Sequence, residues 1–545
     1  MIYWYFLRLN QVEKENIKMS SYINYGKDMS EANNLLLKHF GYGKLPSRYE
    51  DFMKIPQWLR KMIAKNIPLV LSDNYEHFMA CLPGKKYAAH HVLVRKQLGG
   101  FTVAAGFWKW LEFLSHQITH NEVDLVADFQ SGKHNGHPRQ FNAEYWHHVV
   151  DDFDGYLPIR IECVGEGAVF TGVPFPIAEI YGEKPAVWVN EPMYIQIGQL
   201  THVATIAAQF AEVLGDPWRF IEVAFRALQN CEFSDDMLLA MLIGGGIIST
   251  SNDLGAFING APFKSAGTTG HCFYQQWKKF IDSLRALLGS ELGPYCTVLL
   301  DIIKHDYGFK DLQQLLGEGY PAPFAERPDS GDTLKLGMHD LTVLQDEGKM
   351  INVVFEDGHK PLDVLEAEKK RKQYGLSKER AIHGAGGAFI GPRRALEVAN
   401  KACLFHDGTP KEPIDTVETM KICLDDTMKQ SVPGRVEWFI NNDTGVYILG
   451  EKGESAPPNY SSQKVLLYDG LTNPGKPFFN PEYTHESLAR SLAIQNGVER
   501  SSLQRKTLGP DFTRDIGENK TGIAMTKALR QKRSKIREEA LKQVR

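Results

Sequence analysis

The stretch RAIHGAGGAF (380–389) decides the fold class. A short apolar run, Ala381–Ile382, gives way to a loop carrying Gly384, Gly386 and Gly387. That is the pattern of a buried strand feeding a loop at a sheet edge. The loop's N–H groups suit a phosphate, and the following GPRRALEVANKA (391–402) is expected to continue as a helix. Working outward, RFIEVAF (219–225), AMLIGGGII (240–248), CTVLLDII (296–303) and MINVVFED (350–357) read as further short apolar strands, separated by stretches of helical length. Such alternation marks parallel α/β units, and enough of them predict a barrel. In a parallel barrel the chemistry belongs at the C-terminal ends of the strands.

The flanks read differently. Residues 1–65 are expected to form a helical extension, with EANNLLLKHFGYG (31–43) an amphipathic helix stopped by Gly41. IPLVLSD (67–73) reads as a buried strand and GFWKWLEFLSHQI (106–118) as a helix. LPIRIECVGEGAVFTGVPFPIAEI (157–180) alternates apolar and polar residues between glycines and prolines, which predicts β-hairpins. PMYIQIGQLTHVATIAAQFAEVL (192–214) predicts a long helix. The expected organisation is an extension (1–65), an α+β domain in two parts (66–190 and 400–495), an irregular parallel α/β barrel domain (191–399) between them, and a basic tail (496–545).

A chain of 545 residues with 43% hydrophobic and 23% charged residues is ordinary for a globular protein of two or three domains. Its net charge of −4 argues against a dedicated nucleic-acid or membrane-surface protein, and no apolar run is long enough to span a bilayer. Seven widely spaced cysteines without a CxxC fit reduced thiols in the cytoplasm. Cys272 adjoins His271, but neighbours in sequence seldom bring their functional atoms together. HQITH (His116, His120) and HNGH (His134, His137) lack a third ligand in a recognisable pattern and read as surface histidines. From Arg500 onward 13 Lys or Arg face 5 Asp or Glu, a net of +8, which reads as a solvated basic helix or, alternatively, a polyanion-binding tail.

The expected strand ends collect unusual residues. Arg226 follows RFIEVAF and suits a carboxylate. Ser251 lies in the polar turn TSN (250–252), and GTTGHCF (267–273) exposes His271 after a Gly/Thr turn. ERPDSGD (326–332) packs Arg327, Asp329, Ser330 and Asp332 into one tight turn, suited to sugar hydroxyls and phosphates. Asp357 and Gly358 follow the next strand, then Gly386 and Gly387. Together these describe a site for a phosphorylated sugar plus a small anion.

In this order the motifs resemble the nicotinate and nicotinamide phosphoribosyltransferases, over roughly 69–450. LVLSDNYEHFMA (69–80) resembles the family's Asp-x-Tyr motif at Asp73 and Tyr75, GTTGH its histidine turn, RPDSGD its sugar-phosphate turn, and MKQSVPGRVEWF (428–439) a late Pro-Gly-Lys strand. The resemblance implies a type II phosphoribosyltransferase fold, phosphoribosyl pyrophosphate and ATP as co-substrates with Mg²⁺, and a homodimer with shared active sites. His271 would be a phosphohistidine, and Arg327 and Asp329 would hold ribose and diphosphate. Tyr75 would stack on the pyridine of the partner's site, with Arg226 near the ring's carboxylate or amide. Asp357, Gly358, Gly386 and Gly387 would surround the ribose and 5-phosphate. Two departures stand out: Val223 and Ala224 replace the family's Phe-Gly, and DIIK (301–304) puts Lys304 where the family has an acid. Ser251, where the nicotinamide branch carries an aspartate, favours nicotinate. ERPDSG and GAGGAF lean toward nicotinamide. A catalytically silent nucleotide-binding relative is the other alternative.

Overall fold

The computed structural model describes residues 22–134, 141–228, 233–260, 263–265, 268–356, 358–390, 396–423, 430–485, 487–488 and 523–544. Two seven-stranded sheets organise them. The first is antiparallel and opens with β1 (Tyr87–Val94), β2 (Ile159–Cys163) and β3 (Phe175–Glu183). The second is parallel: β4 (Phe220–Glu222), β5 (Ser249–Thr250), β6 (Lys264–Ser265), β7 (Thr297–Leu299), β8 (Ala325–Arg327), β9 (Asn352–Phe355) and β10 (Ala381–Ala385). The chain then returns to the antiparallel sheet as β11 (Ala399–Gly408), β12 (Pro413–Glu418), β13 (Val465–Asp469) and β14 (Phe478–Phe479). The order β12–β11–β1–β3–β2–β13–β14 thus joins early and late segments around one core.

The parallel sheet runs β6–β5–β4–β10–β9–β8–β7. Its first and last strands in sequence are neighbours, β10 pairing with β4 and His383 lying opposite Phe220, so the sheet curls toward a barrel. The open seam lies between β6 and β7. There the Thr269 N–H and hydroxyl both donate to the Thr297 carbonyl, at 3.1 and 2.9 Å. Inside the curl Ala325, Val354 and Ile382 are buried against Ile221, one residue from each of four strands. Side chains two positions further along a strand point the same way, so Val223, Arg327, Glu356 and Gly384 form the next layer toward the C-terminal mouth.

Helices pack outside. α1 (Glu191–Leu214) is buried along most of its length and ends at Gly215, φ 66°. It lies against α2 (Ser234–Gly245), which corrects the strand expected at AMLIGGGII. The glycines there serve a helix crossing: a Cβ on Gly244 would stand 2.0 Å from the Ala204 carbonyl oxygen, and one on Gly245 2.4 Å from that of Ala207. α3 (His305–Gly317), α4 (Thr333–Asp346) and α5 (Pro361–Gln373) follow β7, β8 and β9.

Two further expectations change. IPLVLSD is not a buried strand. Pro68 starts a helical turn, Pro68–Leu71, and Val70 and Leu71 are exposed. The helix expected after the glycine loop does not continue into Ala399, which begins β11 and pairs with β1; residues 391–395 lie outside the described residues. The basic helix α6 (Lys527–Val544) is exposed over most of its described length, as a solvated helix would be, but is anchored near its start: Leu529 is fully buried and Lys532 bridges Glu418 and Glu451 at 2.8 and 3.0 Å. No helix among the described residues is long and apolar enough to cross a membrane.

Candidate active site

Because every strand of the curled sheet runs the same way, its C-terminal ends open on one mouth. At β4, the buried Glu222 accepts hydrogen bonds from the Ala224 N–H and the Thr250 hydroxyl, and the Ser251 N–H donates 2.8 Å to its carbonyl. Burial raises the Glu222 carboxyl above its usual range, against the pull of those two donors. This carboxylate clamps the ends of β4 and β5 together and sets Ser251, half-buried, at the rim. Asn252 caps the helix beyond, its Oδ1 accepting from Gly255 N–H at 2.9 Å.

The Val223–Ala224 departure has a structural consequence. Ala224 is buried in the apolar core, and the next residue, Phe225, stands 38% exposed on a short turn. Gly386 is required beside it: a Cβ there would meet the Val223 carbonyl oxygen at 2.6 Å. A Cβ on Gly387 would meet nothing within 4 Å, which leaves the backbone there open to a ligand. The backbone of Arg226 lies in the Phe225–Ala227 turn, but its side chain lies outside what is described.

His271 opens the helical turn His271–Tyr274. The turn is pinned from below, because Tyr274 Oη reaches Thr269 Oγ1 at 2.6 Å and accepts from the Leu299 N–H at 2.9 Å. The imidazole is 39% exposed and lies between two carboxylates. Its Nε2 stands 3.1 Å from Asp301 Oδ1, and Nδ1 stands 3.8 Å from Asp329 Oδ2. Asp301 is itself fixed by the Ser330 hydroxyl, which donates at 2.5 Å. Donation from Nε2–H to Asp301 leaves Nδ1 with its lone pair on the open side. Cys272 is exposed and no cysteine–histidine pair forms with its neighbour's ring.

Arg327, at the end of β8, is buried; its Nη1 donates 2.8 Å to Glu356 Oε2, and Nη2 stands 3.5 Å from Asp329 Oδ1. Asp332 is absorbed by the fold as the cap of α4, accepting from Lys335 N–H at 3.0 Å. Gly358, exposed at φ 68°, holds a left-handed turn with open space around it. Asp357 lies outside the described residues. Lys304 precedes α3 without a side-chain cap bond and points to Asp306, 2.9 Å away, rather than to the carboxylates of the mouth.

Thus the structure brings His271 and Arg327 each within ion-pair distance of Asp329, while Ser251, Gly358, Gly386 and Gly387 follow the C-terminal ends of other strands of the same parallel sheet. Tyr75 stands elsewhere: it is 45% exposed on the helix Asn74–Ala80, which packs on Lys184–Trp188 beside the antiparallel sheet. Around it Val70, Leu71, Phe78 and Leu82 are also exposed. Sequence reading missed Glu222, Asp301 and Glu356 as site residues. Asp301 and Glu356 end their strands beside motifs already noted, so strand phase was the available signal. The histidine pairs divide: His116 is buried and paired with Glu122 at 2.9 Å, whereas His120 is exposed and paired with Asp151 at 3.1 Å. His137 lies outside the described residues.

No family model matches the chain. A nicotinamide phosphoribosyltransferase of Xanthomonas campestris pv. campestris (strain 8004) is 22% identical over 435 residues, 70% of this chain and 89% of that protein. Among solved structures, the human nicotinic acid phosphoribosyltransferase superposes with a TM-score of 0.56 at 15% identity, covering 85% of this chain and 99% of that one. The nicotinate-nucleotide pyrophosphorylase of Pyrococcus furiosus gives 0.53 at 14% identity, covering 82% and 97%. Those two likenesses share the fold, while the first aligns most of both sequences. In motif order, in the curled sheet and in the mouth, the chain is similar to the nicotinate and nicotinamide phosphoribosyltransferases.

Proposed function

We propose that this protein joins a pyridine bearing a 3-carboxyl or 3-carboxamide group to phosphoribosyl pyrophosphate, giving the mononucleotide and pyrophosphate on a cytoplasmic route to NAD. The observation that carries this is the convergence of His271, Asp301, Asp329 and Arg327 on one mouth beside the open backbone at Gly387. The ring nitrogen attacks the anomeric carbon with its own lone pair, and the carbon–oxygen bond to diphosphate breaks, so no general base is needed. Arg327 supplies a buried guanidinium toward the turn that would hold the diphosphate, and the Gly386–Gly387 and Gly358 turns leave room for the ribose phosphate. The carboxylate oxygens of Asp301 and Asp329 are the hard donors a Mg²⁺ ion accepts. Asp329 is the more open of the two. When bound, that ion would neutralise charge on the departing diphosphate.

His271 is the residue proposed to take the γ-phosphoryl group of ATP. Nδ1 forms the N–P bond as ADP leaves, and Asp301 steadies the imidazole through Nε2–H. The exposed row of Val70, Leu71, Tyr75, Phe78 and Leu82 supports a homodimer in which Tyr75 serves the partner's mouth.

Ser251 at the rim brings no charge against a carboxylate and supports nicotinate. Glu356 supports the other reading, because it already occupies the buried Arg327 fork and presents an anion at the floor. One assay tests the whole reading: phosphoribosyl pyrophosphate and Mg²⁺ with nicotinate or nicotinamide, with and without ATP. Pyrophosphate release dependent on neither ring overturns it, and ring binding without turnover makes the protein a silent relative.

A further inference from the structure

Behind the mouth, on the outer side of β8, three ionisable side chains meet in the interior. They are Glu326 on β8, His305 at the first position of α3, and Asp340 on α4. All are buried, with Glu326 at 0% and Asp340 at 1% exposure. One donor atom from each lies within 4.8 Å of the others. His305 Nε2 contacts Asp340 Oδ2, and the other Asp340 oxygen lies 3.0 Å from His339 Nδ1. Neither carboxylate oxygen of Glu326 has a hydrogen-bond partner among the described residues.

This is an unbalanced group. Two buried carboxylates face each other, and the ion-pair partners of Asp340 among the described residues are imidazoles only. Arg327, next in sequence to Glu326, points to the opposite side of the strand and is committed to Glu356 and Asp329. A proton alone would answer the charge but would itself need an acceptor in contact with Glu326, and the described residues supply none. A cation answers both needs.

We propose that His305, Glu326 and Asp340 form a structural site for one divalent transition cation of the zinc or manganese class. One imidazole nitrogen with two carboxylates suits those ions, whereas Mg²⁺ and Ca²⁺ favour all-oxygen shells. The ligands come from three consecutive pieces of the barrel wall, so the ion would fasten α3 and α4 to β8. Gly308 already brings α3 against β7's extension, where a Cβ would lie 2.0 Å from the Leu300 carbonyl oxygen. The site includes the neighbours in sequence of Arg327, through Glu326, and lies on the helix that follows Asp301, through His305, so it would brace both.

The test is elemental analysis of the full-length protein purified without chelator, without substrates present. The expected result is about one Zn²⁺ or Mn²⁺ per chain. Glu326→Gln and Asp340→Asn should lower that at least about tenfold, with far-ultraviolet circular dichroism checking their fold. His271→Ala should keep the metal, which separates this site from the mouth. In addition, Co²⁺ replacing the native ion should give visible absorption in wild type that Glu326→Gln loses. A wild-type protein that carries less than about a tenth of an ion per chain, and whose thermal midpoint does not rise with added Zn²⁺ or Mn²⁺, overturns the proposal. So does full metal retention in folded Glu326→Gln.

Discussion

Replacing Glu356 by glutamine asks what the floor of the mouth recognises. In the native protein the carboxylate sits 2.8 Å from Arg327 Nη1, with both side chains about nine-tenths buried (9% and 10% exposed). Arg327, proposed to face the diphosphate, is already neutralised by this pair, so a nicotinate carboxylate near the floor gains no net attraction from it. It would also face a second anion, at about 5 Å and an effective dielectric near 20 a repulsion of about 3 kcal/mol. Glutamine removes that repulsion while keeping a hydrogen bond to Arg327. A repulsion of about 3 kcal/mol, partly relieved by water and side-chain adjustment, supports a rise of about one to two powers of ten in the nicotinate-to-nicotinamide ratio of kcat/KM. The carboxamide oxygen introduced by Glu356→Gln still accepts from Arg327, so the fold should lose only about 1–3 kcal/mol. The assay is the two kcat/KM values for each protein, with thermal midpoints as the control. A ratio unchanged while the midpoint falls would refute the placement of the Glu356 charge near the ring. Ser251→Asp is the reverse experiment: it adds an anion at the rim and should move the ratio toward nicotinamide.

Three other outcomes are expected. His271→Ala should remain folded and bind ring substrate but lose stimulation by ATP; an unchanged ATP response in steady-state assays removes the imidazole from the coupling step. Tyr75→Ala and Arg327→Ala, each inactive, should partly recover activity when mixed and reassembled, because one hybrid mouth would be intact. A mixture as inactive as its parents, with subunit exchange confirmed, argues for sites within single chains. Stability at acid pH should depend on Glu368, buried on α5 and held to about 2: burial raises its pKa, but His383 and Arg219 together outweigh it. Its folded pKa is depressed, so its contribution is present above about pH 4.5 and is lost as pH falls toward 2, worth on the order of 3 kcal/mol. Glu368→Gln should therefore flatten the acid limb of the thermal midpoint against pH, and equal slopes for the two proteins would count against the linkage.

What local sequence determined is the set of parallel units and the chemistry on their ends. RFIEVAF, CTVLLDII, MINVVFED and RAIHGAGGAF each contain a strand, because a short apolar run ending in glycine or a polar turn has one economical way to be buried. Ser251, His271 and the Arg327–Asp329 pair sit instead at or after three strands outside those runs, β5, β6 and β8, and were marked by their polar and glycine turns rather than by an apolar run. Tertiary structure decided the rest. AMLIGGGII is helical because its glycines admit the backbone of α1, a contact that periodicity within the segment cannot express. α6 is charged along its length, yet Leu529 and Lys532 find a core and two carboxylates supplied by distant strands. Glu356, Asp301 and Glu326 lie within quoted stretches, but nothing local says which way each side chain turns. Strand phase turns Glu356 inward to Arg327 and Glu326 outward to His305 and Asp340, and that sorting exists only once β8 and β9 are paired and curled.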